Sequence, residues 1–275
     1  AGPTPGAAGG AADSMSAMNR DQASTPTSSK PAPTVAELAA VDRLLVVCDF
    51  DGTLAWHSSD RLNVPVDEDA IEALRRLSLM PDTDVVILSG RMMAELSKIV
   101  PLDPPVRKVG SHGAEPEGSE NLLSDEQQAA LDAITEQLEA LCEGNPCFVE
   151  FKPFQRGLHY RPVAGTPMAE QMRQAALAID PHGAHITDGR MIVEFSVSDA
   201  TKGTWIAAER ERLNPDATVF LGDDTTDERG FAVLGDNDLG VKVGEGETKA
   251  GARVADIPGV AAWLTELADA RAARG

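Results

Sequence analysis

Leu44-Leu45-Val46-Val47-Cys48-Asp49-Phe50-Asp51-Gly52-Thr53-Leu54 reads as one unit. Five apolar residues run without polar alternation, then stop at an acidic, glycine-containing string. An unalternating apolar run of this length predicts a strand covered on both faces, as in a parallel sheet. Gly52 allows a turn directly after it. The string DFDGTL therefore belongs on the carboxyl rim of a sheet, where open parallel sheets bind their ligands.

The same grammar repeats along the chain. Val85–Leu88 ends in Ser89-Gly90-Arg91, and Val106–Val109 ends in Gly110-Ser111-His112-Gly113. Thr218–Leu221 ends in Gly222-Asp223-Asp224, and Leu239–Val243 ends in Gly244. Helical spacing lies between several runs. Ile71, Leu74 and Leu77 share one face, with Asp67, Glu68 and Asp69 before them and Arg75 and Arg76 near the end, which suits the helix dipole. Alternating strand and helix predicts an α/β fold, a doubly wound parallel (Rossmann-like) core sheet.

The middle of the chain has a different pattern. Ser124 and Gln127 form a capping-box pair ahead of a stripe at Leu131, Ile134, Leu138 and Leu141. Residues 148–152 and 158–161 predict paired strands. Thr166-Pro167 predicts the N-cap and first position of a second helix, and Asp188-Gly189 a hairpin turn. An α-β-β-α-β-β order implies a small antiparallel sheet backed by two helices. The expected organisation is a tail over 1–34, a core over 35–114 and 195–275, and an inserted α/β cap domain over 115–194. The first 34 residues are mostly Ala, Gly, Pro, Ser and Thr, too poor in large apolar side chains to offset their ordering entropy, so that tail is expected to be disordered.

Composition narrows function. The chain has 275 residues, 42% hydrophobic and 25% charged, which accommodates a sizeable core. A net charge of -20 and 4% aromatics argue against nucleic acid and anionic lipid as partners. No apolar run approaches membrane-spanning length. Cys48, Cys142 and Cys147 are odd in number and lack metal spacing, a usage that suits a reducing cytosol, so a cytoplasmic location is expected. Cys48 lies inside an apolar run and is expected to be a buried thiol.

Four elements can carry chemistry. Asp49 and Asp51, two residues apart after a strand, can share a site only if a cation or proton joins them, and a hard divalent ion such as Mg²⁺ fits. An isolated Asp-Gly is ordinarily a solvated turn; the six-residue string after an apolar strand argues otherwise. Gly222-Asp223-Asp224-Thr225-Thr226-Asp227-Glu228 can complete a metal site, although part of it can cap the following helix. Ser89-Gly90-Arg91, at a strand-to-helix junction, offers a hydroxyl, N–H groups and a cation to an anion. Lys202 precedes a helix through Trp205–Leu213; on its own it reads as a surface charge. His182 and His185 flank turn residues and are given no role.

In order and placement these four elements resemble the haloacid dehalogenase superfamily, over about 40–275. Gly110-Ser111-His112-Gly113-Ala114-Glu115, Lys152, His159-Tyr160-Arg161, Glu194, Lys202-Gly203 and the 222–228 string are similar to the trehalose-6-phosphate phosphatase family. The resemblance implies a core of the haloacid dehalogenase type, a sugar phosphate as partner and Mg²⁺ as cofactor. It implies catalytic roles for Asp49 (nucleophile), Asp51 (acid/base), Ser89 and Lys202. The metal set is Asp49, Asp51 (by its backbone carbonyl) and Asp223. The substrate set is Asp49, Phe50, Asp51, Arg91, His112, Glu115, Lys152, His159, Arg161 and Glu194. Three other readings stay open: a phosphatase for another sugar phosphate, a phosphomutase, and a non-catalytic sugar-phosphate binder.

Overall fold

The computed structural model describes Gly2, residues 31–119 and residues 123–274. The tail expected at 1–34 lies almost wholly outside them. Its last residue, Thr34, is the N-cap of the first helix, α1 (Val35–Ala40): its hydroxyl accepts from the Glu37 N–H, and Glu37 accepts from the Thr34 N–H in return.

The main sheet has seven strands: β1 (Leu44–Cys48), β2 (Thr83–Leu88), β3 (Arg107–Gly110), β4 (Glu115–Pro116), β9 (Ala217–Gly222), β10 (Leu239–Val243) and β11 (Ala252–Val254). Their spatial order is β11-β10-β9-β1-β2-β3-β4. All pairings are parallel except that of the short β4 with β3. β1 is central, with Val46 opposite Val85 on one side and Val219 on the other. The next strand in the chain lies to one side of β1, and a strand from far downstream lies to the other. β1 and β9 therefore flank the point where the winding reverses, which opens a crevice beyond their carboxyl ends.

Burial on both faces explains the unalternating runs. Every residue of β1 is 0% exposed. Leu44, Val46 and Cys48 pack with Leu38 of α1, Leu74 of α2 (Glu68–Ser78) and Leu264 of α8 (Ile257–Ala272). Leu45 and Val47 face the other way, onto Ile206 of α6 (Lys202–Leu213) and Phe231 of α7 (Glu228–Phe231). Each such apolar side chain contributes about 1.5–3 kcal/mol through burial, so neither face tolerates a polar residue cheaply. Cys48 is in this core as expected, and burial pushes its thiol pKa up.

The second sheet is inserted between β4 and α6. Its strands are β5 (Phe148–Lys152), β6 (Gln155–His159), β7 (His185–Gly189) and β8 (Ile192–Ser196), in the antiparallel order β5-β6-β8-β7. Two helices, α4 (Asp125–Cys142) and α5 (Pro167–Leu177), cover one face, with Ile134, Leu138, Met172 and Ala176 on Leu158, Val193 and Phe195. β8 continues to Ser196, two residues past the boundary read from sequence, and Glu115 belongs to the main sheet.

The Ser124–Gln127 capping box forms as expected. Thr166 and Pro167 take the N-cap and first position of α5 as expected, although the Thr166 hydroxyl donates to the Val163 carbonyl instead of accepting from the helix. One local expectation needs correcting. The hairpin turn is at Arg190-Met191, two residues beyond Asp188-Gly189: Gly189 pairs with Ile192, Met191 adopts a φ of 64°, and the Asp188 carboxylate is held in the strand by Arg173. Among the described residues, no helix is long and apolar enough to cross a membrane.

Candidate active site

Asp49 follows β1 directly, and its N–H donates to the Leu221 carbonyl at 2.9 Å, continuing the ladder one residue past the strand. The chain then turns back. The N–H groups of Leu54 and Ala55 both donate to the Phe50 carbonyl, with Gly52 at a φ of 80°. A Cβ on Gly52 would sit 2.0 Å from Oδ2 of Asp223, so only glycine lets the two motifs approach. Asp223 leaves β9, the neighbouring strand across the reversal point.

Lys202, the first residue of α6, is 3% exposed and completes the floor. Its ammonium lies 2.6 Å from Oδ1 of Asp49 and 2.6 Å from Oδ1 of Asp227. Burial works against its charge, but the two carboxylates more than offset that and raise its pKa. Burial raises Asp49 to about 6 against the pull of Lys202, and raises Asp227 to about 6 with Asp49 adding repulsion. Asp223 is raised in the same direction, first by burial and then by Asp227.

These three carboxylates each offer an oxygen within 4.8 Å of the others. Asp227 spends one oxygen on Lys202 and the other on the Asp224 N–H at 2.9 Å. Oδ1 of Asp223 is buried and accepts no hydrogen bond. An orphaned buried carboxylate oxygen beside Asp49, in a cluster with more acids than ammonium groups, fits a hard divalent cation such as Mg²⁺. The Asp51 carboxylate is not in this cluster. Arg91 holds it in a two-pronged clasp, Nε to Oδ2 at 2.6 Å and Nη2 to Oδ1 at 2.7 Å, so a metal role for Asp51 rests on its backbone carbonyl alone. The clasp, together with Glu95, raises the pKa of Arg91.

Asp49, Asp51, Ser89, Arg91, His112, Lys202 and Asp223 line one cleft of about 430 Å³, joined by His57, Arg61 and Asp224. The Ser89 hydroxyl accepts from the Arg91 N–H at 3.1 Å, and the Ser89 carbonyl accepts from the His112 N–H at 2.9 Å. Two residues of the expected substrate set are arranged differently. The Phe50 ring is 0% exposed in the main core, leaving only its backbone at the site, where its N–H serves the Asp49 carboxylate. Glu115 turns its carboxylate to the Ser111 hydroxyl and the Met93 N–H, bracing the turn that carries His112.

Register decides which residues of the second sheet share a face. Val149, Leu158 and Val193 stand opposite one another and point at the helices. The neighbouring set Glu150, Gly157 and Glu194 therefore points away from them, as do Lys152 and His159. Lys152 bridges Glu194 at 3.1 Å and Glu150 at 3.4 Å, and His159 meets Glu150 at 3.1 Å while stacking on Phe148. Arg161 is exposed on the turn after β6. This helix-free face borders the cleft through Arg61, one of the residues lining it. Arg61 spans the gap, 3.2 Å from Glu95 of the core and 3.3 Å from Glu150 of the insertion.

Sequence reasoning missed Arg61, gave Glu150 no role beside Lys152, and left open whether Asp227 joins a metal site or caps the helix. Glu150 had a legible signal: it lies two residues before Lys152 on a strand and so shares its face. Arg61 lies in a loop without pattern and had none.

A family model described as trehalose-phosphatase matches residues 47–256. The trehalose-6-phosphate phosphatase of Escherichia coli (strain K12) is 34% identical over 236 residues, covering 81% of this chain and 85% of that protein. The bifunctional trehalose-6-phosphate synthase/phosphatase of Thermoproteus tenax is 32% identical over 244 residues, covering 84% of this chain but 33% of its own length, so the chain spans a third of that relative. The solved C-terminal domain of C. albicans trehalose-6-phosphate phosphatase has a TM-score of 0.66 at 23% identity, over 87% of this chain and 98% of that one, a likeness of fold.

Proposed function

Since the chain belongs to the trehalose-phosphatase family, we propose that it hydrolyses trehalose 6-phosphate to trehalose and inorganic phosphate, with Asp49 as nucleophile and Mg²⁺ as cofactor. The observation that carries this reading is the Asp49 carboxylate, 4% exposed at the cleft floor and bonded to Lys202, with Asp223 beside it.

Asp49 attacks phosphorus and becomes an aspartyl phosphate as the bond from phosphorus to the sugar oxygen breaks. Asp51 gives that leaving oxygen its proton. It then takes a proton from the water that attacks the phosphorus and frees Asp49. For this Asp51 must leave Arg91, whose guanidinium turns to the phosphate oxygens, a better-matched bidentate partner. Lys202 and Ser89 stabilise charge on the transferring group. Asp49 and Asp223 are the side chains that would hold Mg²⁺, which supplies positive charge to the phosphoryl oxygens when bound.

In this reading residues 115–194 act as a cap on a core of 35–114 and 195–275. Lys152, His159, Arg161 and Glu194 meet the sugar hydroxyls, with Glu150 joining them on the shared face. Closure excludes water and adds specificity. The net charge of -20 leaves no attraction for nucleic acid, and three free cysteines suit a reducing cytoplasm.

Phosphate release tests the proposal. Trehalose 6-phosphate is expected to be turned over with Mg²⁺ and not in EDTA, well ahead of sucrose 6-phosphate and glucose 6-phosphate. Asp49→Asn is expected to lose more than about 10⁴-fold in kcat while keeping its circular dichroism spectrum. Retained turnover in that variant refutes the nucleophile. A preference for another sugar phosphate refutes the substrate and leaves the chemistry standing.

A further inference from the structure

Lys242 sits inside an apolar strand. Its neighbours Val241 and Val243 pack into the core on the α1, α2 and α8 face of the sheet, which puts Lys242 on the opposite face. It is 5% exposed. Among the described residues no carboxylate pairs with it; its ammonium donates to one group, the backbone carbonyl of Asp223. A buried ammonium without a counter-ion is costly, and a strand position like this one ordinarily carries Val or Ile.

The register explains how the contact arises. Lys242 of β10 stands opposite Gly222 of β9, so its side chain reaches the Asp223–Asp224 peptide just beyond the end of β9. That peptide is the one whose orientation sets where the Asp223 side chain points. The Asp223 carboxylate is already confined on its far side by the bare Cα of Gly52. It keeps Oδ1 buried and free of hydrogen bonds. One residue is thus held at two points, its carbonyl by Lys242 and its carboxylate against Gly52.

We infer that Lys242 is a positioning residue for the metal site: by holding the Asp223 carbonyl it aims the free Oδ1 toward Asp49. Its positive charge lies on the backbone side of Asp223 and repels a cation less than an ammonium aimed at the carboxylates would. Partners that orient metal ligands commonly contribute about 10–100-fold to metal affinity. The inference rests on the Mg²⁺ site proposed above.

The test is calorimetric titration of the full chain with MgCl₂, beside thermal unfolding in EDTA. Lys242→Met, which keeps the length and loses the donor, is expected to raise the Mg²⁺ Kd about tenfold or more, with a metal-free melting temperature close to that of the parent. Lys242→Arg, which can donate to the same carbonyl, is expected to stay within about threefold of the parent. If the parent itself binds no Mg²⁺, the metal reading fails and Lys242 falls with it. If the parent binds and Lys242→Met binds equally well, only the role of Lys242 is overturned. Should Lys242→Met not fold, Lys242→Gln replaces it with the same expectation. Failure of both to fold in excess Mg²⁺ also overturns the inference, because a positioning residue is dispensable for the fold.

Discussion

His112 adopts a φ of 57° on the turn after β3, with its ring against the bare Cα of Gly90. Burial, then Lys202 and Lys152, lower its pKa from 6.5 to about 4, against smaller opposing effects of Asp224 and Glu194. Because the unfolded chain takes up this proton first, the stability linked to His112 is complete above about 6.5 and is lost as pH falls toward 4. Urea unfolding between pH 7 and 4.5 is expected to show a steeper loss for the parent chain than for His112→Gln; parallel curves count against a neutral, buried His112. At this scale the sequence was legible where chemistry was contiguous. Asp49 and Asp51 stand out because they follow an apolar run. Lys242 does not, since a lone charge in a strand resembles a solvated face until register is known. The clasp between Asp51 and Arg91 joins residues 40 apart, and no local pattern encodes it.

The strands were legible as elements because burial on both faces leaves an unbroken apolar run. The turn at Arg190-Met191 was not, because Asp188-Gly189 has hairpin composition while Arg173 and the pairing of Gly189 with Ile192 hold it within the strands. Gly157 shows what a single position does to a sheet face. It lies between Glu150 and Glu194 with the tip of Ile192 leaning over it, so that a Cβ would come 2.8 Å from that side chain. Gly157→Val suits a strand, displaces the tip of Ile192 and adds bulk to this face. The expected result is a KM for trehalose 6-phosphate raised about tenfold, with turnover of p-nitrophenyl phosphate unchanged. Equal losses on both substrates remove Gly157 from sugar recognition.

For the whole molecule, the inserted sheet was legible as a change of pattern, but the order of the main sheet was not. That β9 lies beside β1 depends on pairing between segments about 170 residues apart, which local periodicity does not carry. Charge acts at the same scale. A chain with a net charge of -20 repels a sugar phosphate before the local cations can attract it. Screening weakens that repulsion, so kcat/KM at saturating Mg²⁺ is expected to rise about twofold between 20 and 150 mM NaCl. A fall instead points to net attraction along the approach. The return from the insertion has a mechanical consequence. Only residues 197–201 separate β8 from Lys202, and the start of this segment is anchored by Gln127 Nε2 donating to the Val197 carbonyl at 2.8 Å. The inserted module thus has a short tiller attached to the ammonium beside Asp49. Grafting a different module onto this scaffold must preserve the length of that tiller, or the new module will draw Lys202 away from Asp49.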